Sequence, residues 1–479
     1  MSSDLRTVGR HGLGHRVDRS RLSDYYDVVV VGGGAGGLGA AQAAARRGAS
    51  VLLVQEGRLG GDCTFTGCVP SKALIAAAAR GTAFADAIAQ VHRAVETVAA
   101  TEDDEALRRQ GVDVLHGWAR FTSPTEIDVA GRRLRSPRFV IATGAAPLVP
   151  PVEGLQGAHP LTNENVFDLD QLPRRLAVMG GGPIGAELAQ AFARFGTEVT
   201  VLESGDRLLP KEEPEASRVI EQAFVDEGVD VRKGARVTRV ERAGSEGSRL
   251  TSDDGRSVEA DRVLVAVGRR PSTSDLGLEE IGVVLDDQGH VQTDGSLATS
   301  VEGVWAVGDV TGKLQFTHAA NQMALVAVRN ALSPWSKLRR RRFDPSTVPW
   351  VTFTSPEVGR VGMTEAEAVD HGGRVAYLPM SELDRAVAVG ETRGFVKLIA
   401  GPRALLRDTA GGRLLGATTV ASVGGELVHE VALAMQTNAF TGRLAQTVHA
   451  YPTWSMAVQQ AAAQFFFEIG GREARPAQR

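Results

Sequence analysis

Several features are absent from this chain of 479 residues, and each absence narrows its function. No apolar run reaches the roughly 20 residues that a membrane-spanning helix needs, and residues 1–24 lack the apolar centre of a secretory signal peptide. A net charge of −4 leaves no basic field to hold nucleic acid. Two cysteines are too few for the disulfide framework of a secreted protein. We therefore expect a cytoplasmic protein that binds neither membrane nor nucleic acid.

The length indicates more than one folded unit. At about 150 residues per domain, the chain should form roughly three domains. Its 55 glycines concentrate in short clusters after apolar runs, which is typical of nucleotide-binding loops. Residues 1–24 are interpreted as a disordered tail outside the fold.

A repeat with an offset of 148 residues organises the first half of the chain. The first copy consists of an apolar run at Val28–Val31, a glycine loop, an alanine-rich helical stretch to Arg47 and a second run at Val51–Val54. The second copy begins with Leu176–Met179 and ends with Val199–Leu202. Twelve of the 28 paired positions are identical. Each copy predicts the order strand, tight turn, helix, strand that binds a dinucleotide.

Both loops have the G-x-G-x-x-G spacing, which lets the backbone approach a pyrophosphate at a helix N-terminus. We expect each loop to hold one dinucleotide. The glycines predicted to do so are Gly32, Gly34 and Gly37 in the first copy and Gly180, Gly182 and Gly185 in the second.

The residue that ends the second strand of each copy should contact the adenosine ribose. Glu203 is suited to bind the ribose hydroxyls and would repel a 2′-phosphate, so NADH is favoured over NADPH. Arg207 lies close by and keeps NADPH open. In the first copy this position is Gln55, followed by Glu56. The Gln55 amide can still accept a hydrogen bond from a ribose hydroxyl, but nothing in the sequence explains why an amide replaces the acidic residue here.

The two cysteines, Cys63 and Cys68, lie between the repeats. Metal sites need further ligands, which are not visible nearby, and a pair of buried structural thiols is a second alternative to a redox pair. In a regular helix their Cα atoms would be about 8.6 Å apart, beyond the roughly 7 Å limit for a disulfide, so the backbone has to distort between them. Gly67 permits a distortion, and Pro70 suits the first turn of a helix beginning at about Cys68. A thiol at a helix N-terminus has a lowered pKa, so we expect Cys68 to be the thiolate that faces a flavin and Cys63 to be the more exposed, attacking thiol.

Around these motifs the sequence resembles the pyridine nucleotide-disulfide oxidoreductases, the family of lipoamide dehydrogenase, glutathione reductase and mercuric reductase. The similarity extends over about residues 25–469. The segments that carry it are Gly61-Asp62-Cys63 through Cys68-Val69-Pro70-Ser71-Lys72, Ala142-Thr143-Gly144, Ala266-Val267-Gly268-Arg269 and Ala306-Val307-Gly308-Asp309.

The resemblance implies an α/β protein with two Rossmann-like dinucleotide-binding domains, for FAD and NAD, and a C-terminal α+β dimerisation domain. A homodimer with shared active sites follows from it. The implied bounds are a tail at 1–24, FAD-binding parts at 25–150 and 273–343, an NAD(P)-binding domain at 151–272, a dimerisation domain at 344–470 and a tail at 471–479.

The resemblance also implies roles for single residues. Asp309 would bind the ribityl chain of FAD, and Lys72 would lie beside the isoalloxazine ring, paired with Glu187. The segment from Gln315 to His318 would close over the flavin. The further cofactor contacts expected are Gly61, Gly117, Thr143, Gly144, Gly268, Gln315, Phe316, Thr317 and His318.

The closing segment departs from part of the family. In lipoamide dehydrogenase and glutathione reductase the residue before its proline is a histidine, held by a glutamate five positions on; here these are Tyr451 and Met456. A phenol with a pKa near 10 accepts protons poorly, so reduction of lipoamide or glutathione should be slow unless His449 substitutes. Mercuric reductases have a tyrosine at this place, but also a C-terminal cysteine pair that residues 465–479 lack.

The sequence as a whole predicts an FAD-dependent NAD(P)H oxidoreductase. Its Cys63–Cys68 disulfide would reduce another disulfide, a metal ion or another thiol-reactive small-molecule acceptor. Two alternatives stay open: the dihydrolipoamide dehydrogenase of a 2-oxoacid dehydrogenase complex, and an NAD(P)H:quinone-type reductase. No resident metal is expected, and the predicted catalytic residues are Cys63, Cys68, Lys72, Glu187, His449 and Tyr451.

Overall fold

A computed structural model of the chain describes residues 22–244, 247–333, 340–403 and 411–479. Of the tail predicted at 1–24, residues 1–21 lie outside the described residues. Within the described ranges the strands are, in chain order, β1 (Val28–Val31), β2 (Val51–Gln55), β3 (Val112–His116), β4 (Ala119–Ser123), β5 (Glu126–Val129), β6 (Arg132–Arg135), β7 (Phe139–Ile141), β8 (Ala145–Pro147), β9 (Arg175–Met179), β10 (Glu198–Glu203), β11 (Asp230–Lys233), β12 (Val237–Ala243), β13 (Gly247–Ser252), β14 (Ser257–Ala260), β15 (Arg262–Val265), β16 (Arg269–Pro271), β17 (Val304–Ala306), β18 (Trp350–Thr352), β19 (Glu357–Gly362), β20 (Arg374–Pro379), β21 (Phe395–Gly401), β22 (Arg413–Ala421) and β23 (Arg475–Pro476).

The α-helices of the same ranges lie between these strands and on their faces. They are α1 (Ala35–Ala45), α2 (Gly61–Phe65), α3 (Cys68–Ala79), α4 (Phe84–Ala99), α5 (Asp104–Arg109), α6 (Pro183–Arg194), α7 (Pro214–Asp226), α8 (Thr317–Ala331), α9 (Glu365–Ala368), α10 (Asp384–Val389), α11 (Gly424–Gln436), α12 (Thr441–Gln446) and α13 (Met456–Ala463).

The first unit is a parallel sheet in the order β17-β7-β1-β2-β3. Its central strands are continuous apolar runs because both faces are covered. Helices α1 and α8 pack on one face, and the antiparallel sheet β4-β5-β6 contributes to the core on the other. Since the strands are parallel, the loops that follow β1, β7 and β17 meet at one edge of the sheet.

The second unit repeats the first with a parallel sheet in the order β11-β10-β9-β15. The four strands predicted from the repeat are confirmed, each with bounds within one residue of the prediction. The first helix ends at Ala45, two residues before the predicted end. An antiparallel sheet, β12-β13-β14, adjoins this unit, and the short pair β8-β16 runs along the two chain crossings between the units.

The third unit is an antiparallel sheet in the order β18-β19-β22-β21-β20-β23. Its core includes apolar residues of α11 and α13. The segment 471–479, predicted to be a tail, is joined to this sheet because β23 pairs with β20. The α/β fold with two dinucleotide-binding units and a C-terminal α+β unit is therefore as predicted.

One hydrophobic core connects all three units. Buried side chains of α3, α6, α7 and the third unit pack together in it, among them Leu74, Phe192, Phe224 and Phe395. This packing fixes α3 against α6 and brings the side chains that project from the two helices into reach of each other. Among the described residues, helices long and apolar enough to cross a membrane are absent.

Candidate active site

The two glycine loops have the same backbone geometry. Gly32 has a φ of +105° and Gly180 a φ of +103°, a region that disfavours side chains. A Cβ on Gly37 would lie 1.7 Å from the carbonyl oxygen of Gly32, and one on Gly185 would lie 2.0 Å from that of Gly180. Only glycine therefore lets α1 and α6 begin this close to their strands.

The middle glycine of each loop faces free space. A Cβ on Gly34 would meet its nearest neighbour, the Cα of Gly61, at 3.8 Å, and one on Gly182 would meet nothing within 4 Å. Gly117, at the end of β3, donates its N–H to the carbonyl oxygen of Gln55 at 2.9 Å. Backbone without side chains at a helix N-terminus is the chemistry that a pyrophosphate requires, so both loops fit a dinucleotide.

The ends of β2 and β10 explain the amide at Gln55. Its Oε1 accepts the N–H of Gly33 at 2.6 Å, and Oε2 of Glu203 accepts the N–H of Gly181 at the same distance of 2.6 Å. Each side chain therefore supplies one oxygen atom that accepts a backbone N–H and holds its glycine loop. Glu203 also accepts the N–H of Gly205 at 2.6 Å through Oε1.

Glu56 and Arg207 follow these two acceptors in the chain. Glu56 is exposed. The Arg207 side chain points along its own loop and donates to the carbonyl oxygen of Pro210 at 3.0 Å.

The chain crossings bring further predicted residues to the edge of the first sheet. Thr143 donates its hydroxyl to the carbonyl oxygen of Ser272 at 2.6 Å, and the N–H of Ser272 donates to Gly144 at 3.0 Å. Gly268 accepts the N–H of Leu148 at 3.0 Å. The two crossings are thus tied to each other beside the first glycine loop.

Asp309 lies in an ionic group that the sequence did not predict. The Arg269 Nε lies 3.4 Å from Asp309 Oδ2, and the same guanidinium bonds Asp62 and the carbonyl oxygen of Ala145. Burial raises the pKa of Asp309, and the Arg269 charge opposes the rise. Asp62 and Arg269 are 207 positions apart, and no spacing rule joins residues so distant; their places in the redox and crossing motifs were the only signal.

The backbone breaks between the cysteines as predicted. Cys63 lies in α2 and Cys68 begins α3, with Gly67 between the helices at φ −127° and ψ −111°. The φ value does not by itself require glycine there. A Cβ on Gly67 would lie 2.8 Å from the carbonyl oxygen of Asp62, so the requirement is lack of space.

The two thiols are electrostatically unequal. A hydrogen bond from Cys63 lowers the pKa of Cys68 to about 6, against the opposing effect of burial and with help from Thr317 and Lys72. The Thr317 hydroxyl lies 3.2 Å from the Cys68 Sγ. The same hydrogen bond, together with burial, raises the pKa of Cys63.

That Cys68 faces the flavin and Cys63 is the attacking thiol stays a prediction. Cys63 lies within the short helix α2, which packs on α3 and α4, whereas Cys68 is the first residue of its helix.

Lys72 and Glu187 form an ion pair between α3 and α6. The Lys72 Nζ lies 2.8 Å from Glu187 Oε2, and the Glu187 side chain is only 7% exposed. Glu187 Oε1 accepts the backbone N–H of Phe353 at 2.8 Å, and the Lys72 Nζ lies 4.4 Å from the centroid of the Phe353 ring. Phe353 had not been singled out from the sequence.

The segment before α8 carries an aromatic stack. The ring of Phe316 stacks on His318 at 5.7 Å and on Trp350 at 5.9 Å between centroids. The His318 Nε2 lies 2.5 Å from the carbonyl oxygen of Pro349, and burial lowers the pKa of this imidazole. Gln315 is exposed.

The closing segment separates Tyr451 from His449. The Tyr451 side chain is 69% exposed, and its hydroxyl donates to Asp384 Oδ2 at 2.9 Å, a bond that raises the pKa of the phenol.

His449 has a side chain only 6% exposed, with Nδ1 2.9 Å from the carbonyl oxygen of Thr447 and Nε2 3.0 Å from Glu430 Oε1. Both ring nitrogens are therefore occupied by oxygen atoms of the same subunit.

Family models and known enzymes match this chain over most of its length. Residues 26–324 match the family described as pyridine nucleotide-disulphide oxidoreductase, and residues 348–462 match its dimerisation domain. A mercuric reductase of Staphylococcus aureus is 34% identical over 471 residues, which cover 94% of this chain and 84% of that enzyme. A dihydrolipoyl dehydrogenase of Thermus scotoductus is also 34% identical, over 91% of this chain and 96% of that enzyme.

Two solved structures have a similar fold over most of the chain. The Cu(II) complex of the HOCl-induced flavoprotein disulfide reductase RclA from Escherichia coli superposes with a TM-score of 0.83 at 29% identity, covering 92% of this chain and 99% of that one. LpdA from Mycobacterium tuberculosis superposes with a TM-score of 0.81 at 30% identity, covering 92% of this chain and 99% of that one.

Proposed function

Because the chain belongs to the pyridine nucleotide-disulphide oxidoreductases, which are FAD-dependent enzymes that use NAD(P)H, we propose that it reduces a thiol-bound metal ion or another thiol-reactive acceptor through Cys63 and Cys68. The observation that carries this proposal is the unequal thiol pair. Cys68, with a pKa of about 6, is mostly thiolate at neutral pH, while the raised pKa of Cys63 keeps its proton. Such a pair offers a nucleophile and a proton in one site.

We assign the first glycine loop and Asp309, within residues 25–150 and 273–343, to FAD. The second loop and Glu203, within residues 151–272, are assigned to the nicotinamide cofactor. FAD held there would supply the chemistry that links a two-electron hydride donor to the reduction of the disulfide. NADH is the proposed donor, because the buried carboxylate of Glu203 would repel a 2′-phosphate.

The thiols complete the electron and proton balance. Two electrons and one proton convert the Cys63–Cys68 disulfide into a thiolate on Cys68 and a thiol on Cys63. Transfer of the two electrons to the acceptor re-forms the sulfur–sulfur bond and releases the Cys63 proton. Cys63 keeps its proton while it donates a hydrogen bond to the Cys68 thiolate, and this proton passes to water when the disulfide re-forms.

Lys72 is assigned to hold positive charge beside the thiolate. Its charge lowers the pKa of Cys68, and Glu187 fixes the ammonium group by the 2.8 Å ion pair. Because Glu187 projects from the NAD(P)-binding part and Lys72 from the FAD-binding part, the pair also holds the two parts in register.

The choice of a metal ion as acceptor is supported by Tyr451 and His449. A dithiol substrate needs a base, but the Tyr451 phenol donates to Asp384 and the His449 nitrogens are both engaged. A metal ion needs only thiolates and an oxygen donor, which Tyr451 supplies. Similar proteins include a mercuric reductase and a reductase solved with Cu(II), and we propose Hg(II) or Cu(II) held by small thiols as the class to test.

Dihydrolipoamide oxidation is the second candidate, favoured by similarity to a dihydrolipoyl dehydrogenase. Copurification with a 2-oxoacid dehydrogenase complex, together with lipoamide turnover faster than metal-ion turnover, would replace the first proposal by this one. Quinone turnover that persists without both cysteines would instead indicate an NAD(P)H:quinone-type reductase.

We propose a cytoplasmic homodimer formed through residues 344–470, with the closing segment of one subunit completing the active site of the other. The dimerisation-domain match supports the homodimer. The shared site is supported by the exposure of this segment, where Val448 is 92% and Tyr451 69% exposed.

The test is an anaerobic reductive titration that counts electrons taken up per subunit and follows the flavin spectrum. Uptake of two electrons beyond those of the flavin, with a thiolate-to-flavin charge-transfer band midway, is the expected result. Full acceptor turnover by a Cys63→Ser variant, or uptake by the flavin alone, would overturn the thiol route.

A further inference from the structure

Phe353 lies where the three units of the chain meet. It follows β18 of the third unit, and its ring lies over the ammonium of Lys72 from α3 at 4.4 Å. Its backbone N–H donates to Glu187 of α6 at 2.8 Å. Lys72 and Glu187 are themselves 2.8 Å apart, so the three residues form a closed triangle.

The backbone around Phe353 is held rigidly by α6. Gln190, one turn after Glu187, accepts the N–H of Ser355 at 2.7 Å and donates to the carbonyl oxygen of the same residue at 2.9 Å. Two residues of one helix face thus bind two alternate residues of the segment. The backbone that carries the Phe353 ring is therefore bonded to α6 at two positions.

The triangle restricts the Lys72 ammonium on two sides. Glu187 takes one direction, and the face of the Phe353 ring, which attracts a cation through its quadrupole, takes a second. The ammonium also lies 3.3 Å from the Ser71 hydroxyl. Since the Lys72 side chain is 35% exposed, loss of the ring would let it move toward solvent.

We propose that Phe353 is a positioning residue, which holds the Lys72 ammonium group in its place between Glu187 and the Cys68 thiolate. This inference rests on the proposed function, which assigns Lys72 to hold positive charge beside the Cys68 thiolate. It adds a contribution of the third unit to a pair formed by the other two.

The first test measures the pH profile of Cys68 alkylation in the chemically reduced protein, a readout that needs neither NADH nor an acceptor. Because Lys72 lowers the pKa of Cys68, displacement of the ammonium shifts the profile to higher pH. Phe353→Leu should shift it part of the way to the profile of Lys72→Met, and Phe353→Tyr, which keeps a ring, should stay near the wild type. In the Lys72→Met background, Phe353→Leu should cause no further shift.

The second test is the rate of flavin reduction by NADH in the FAD-loaded enzyme. Loss of a cation–π contact should slow it by about 3- to 10-fold in Phe353→Leu. The control is Phe195→Leu at the end of α6, where the ring packs on Phe84 at 5.4 Å instead of a cation. This variant should leave both readouts unchanged.

The proposal is overturned if Phe353→Leu keeps the wild-type profile, if Leu and Tyr shift it equally, or if the shift is undiminished in the Lys72→Met background. Should Phe353→Leu fail to fold, Phe353→Met takes its place in the same comparisons. A titration in which the thiols take up no electrons would refute the proposed function and leave these profiles interpretable. A normal titration with an unshifted profile would refute only the role of Phe353.

Discussion

The pKa of about 6 for Cys68 depends first on the hydrogen bond from Cys63, and this dependence can be measured. The ordinary value is 9.0, at which about 1% of the thiol is ionised at pH 7, against about 90% at a pKa of 6. Removing the largest of the lowering effects should raise the pKa of Cys68. A rise to about 7 would lower the thiolate fraction at pH 6 from about one half to about one tenth, a roughly fivefold loss of alkylation rate.

The perturbation is a matched pair of substitutions. Cys63→Ala removes the donor, whereas Cys63→Ser keeps a hydroxyl at the same place. The assay is the pH dependence of Cys68 alkylation by iodoacetamide in the reduced protein, with the labelled residue identified by mass spectrometry. The sign is fixed: a pKa lowered by a donor rises when the donor is lost, so the Cys63→Ala profile moves to higher pH and the Cys63→Ser profile moves less.

One result would refute this reasoning. If Cys68 still titrates near pH 6 in the Cys63→Ala variant, the N-terminus of α3, Thr317 and Lys72 are sufficient to lower its pKa. The hydrogen bond from Cys63 would then contribute nothing to the lowered pKa. Thr317→Val, which removes the 3.2 Å contact to Sγ, then becomes the informative variant.

Three further predictions follow from the same geometry. Tyr451→Phe should slow acceptor reduction by about tenfold, the worth of one good hydrogen bond, and leave flavin reduction by NADH unchanged in stopped-flow measurements. Lys397→Met should lower the free energy of unfolding by about 3–5 kcal/mol in urea titrations, because this 1% exposed cation bonds three carboxylates that would lose their shared partner. Glu203→Gln should lower the kcat/KM preference for NADH over NADPH by about tenfold, since an amide at Gln55 holds the equivalent glycine loop without charge.

Each of these predictions has a result that contradicts it. For Tyr451→Phe it is an equal loss of rate in acceptor reduction and in flavin reduction by NADH. For Lys397 it is a cost no larger than that of Lys233→Met, because the Lys233 side chain is 41% exposed and its 2.8 Å ion pair with Glu221 should contribute about 0–1 kcal/mol. For Glu203 it is an unchanged preference in protein that retains its cofactor.

Local patterns in the sequence predicted much of the architecture. The repeat gave the strands of both dinucleotide-binding units, because the apolar run and the glycine loop are dictated by neighbours along the chain. The helix that begins at Cys68 was predictable for the same reason, as Pro70 and the cysteine spacing are local. The amide at Gln55 was not interpretable from its own copy, because its partner is the backbone of Gly33, 22 positions away.

The relations among the site residues were decided at longer range. Arg269 bonds Asp62, 207 positions away, and Phe353 bonds Glu187, 166 positions away. The partner of His449 is Glu430, 19 positions before it, and no motif in the sequence indicated this pairing. Such contacts depend on how the units pack, and no periodicity encodes them.

By itself, then, the sequence determined which residues carry chemistry: a dinucleotide loop needs glycine where a Cβ would strike backbone, and a redox pair needs two thiols around a break between helices. Only the tertiary structure decided what those residues can do. It paired the Cys68 thiol with Thr317, engaged both nitrogens of His449 and placed the Phe353 ring over Lys72. The physical reason is that pKa values and ion pairs depend on distance in space and on burial, which exist only once the three units have packed together.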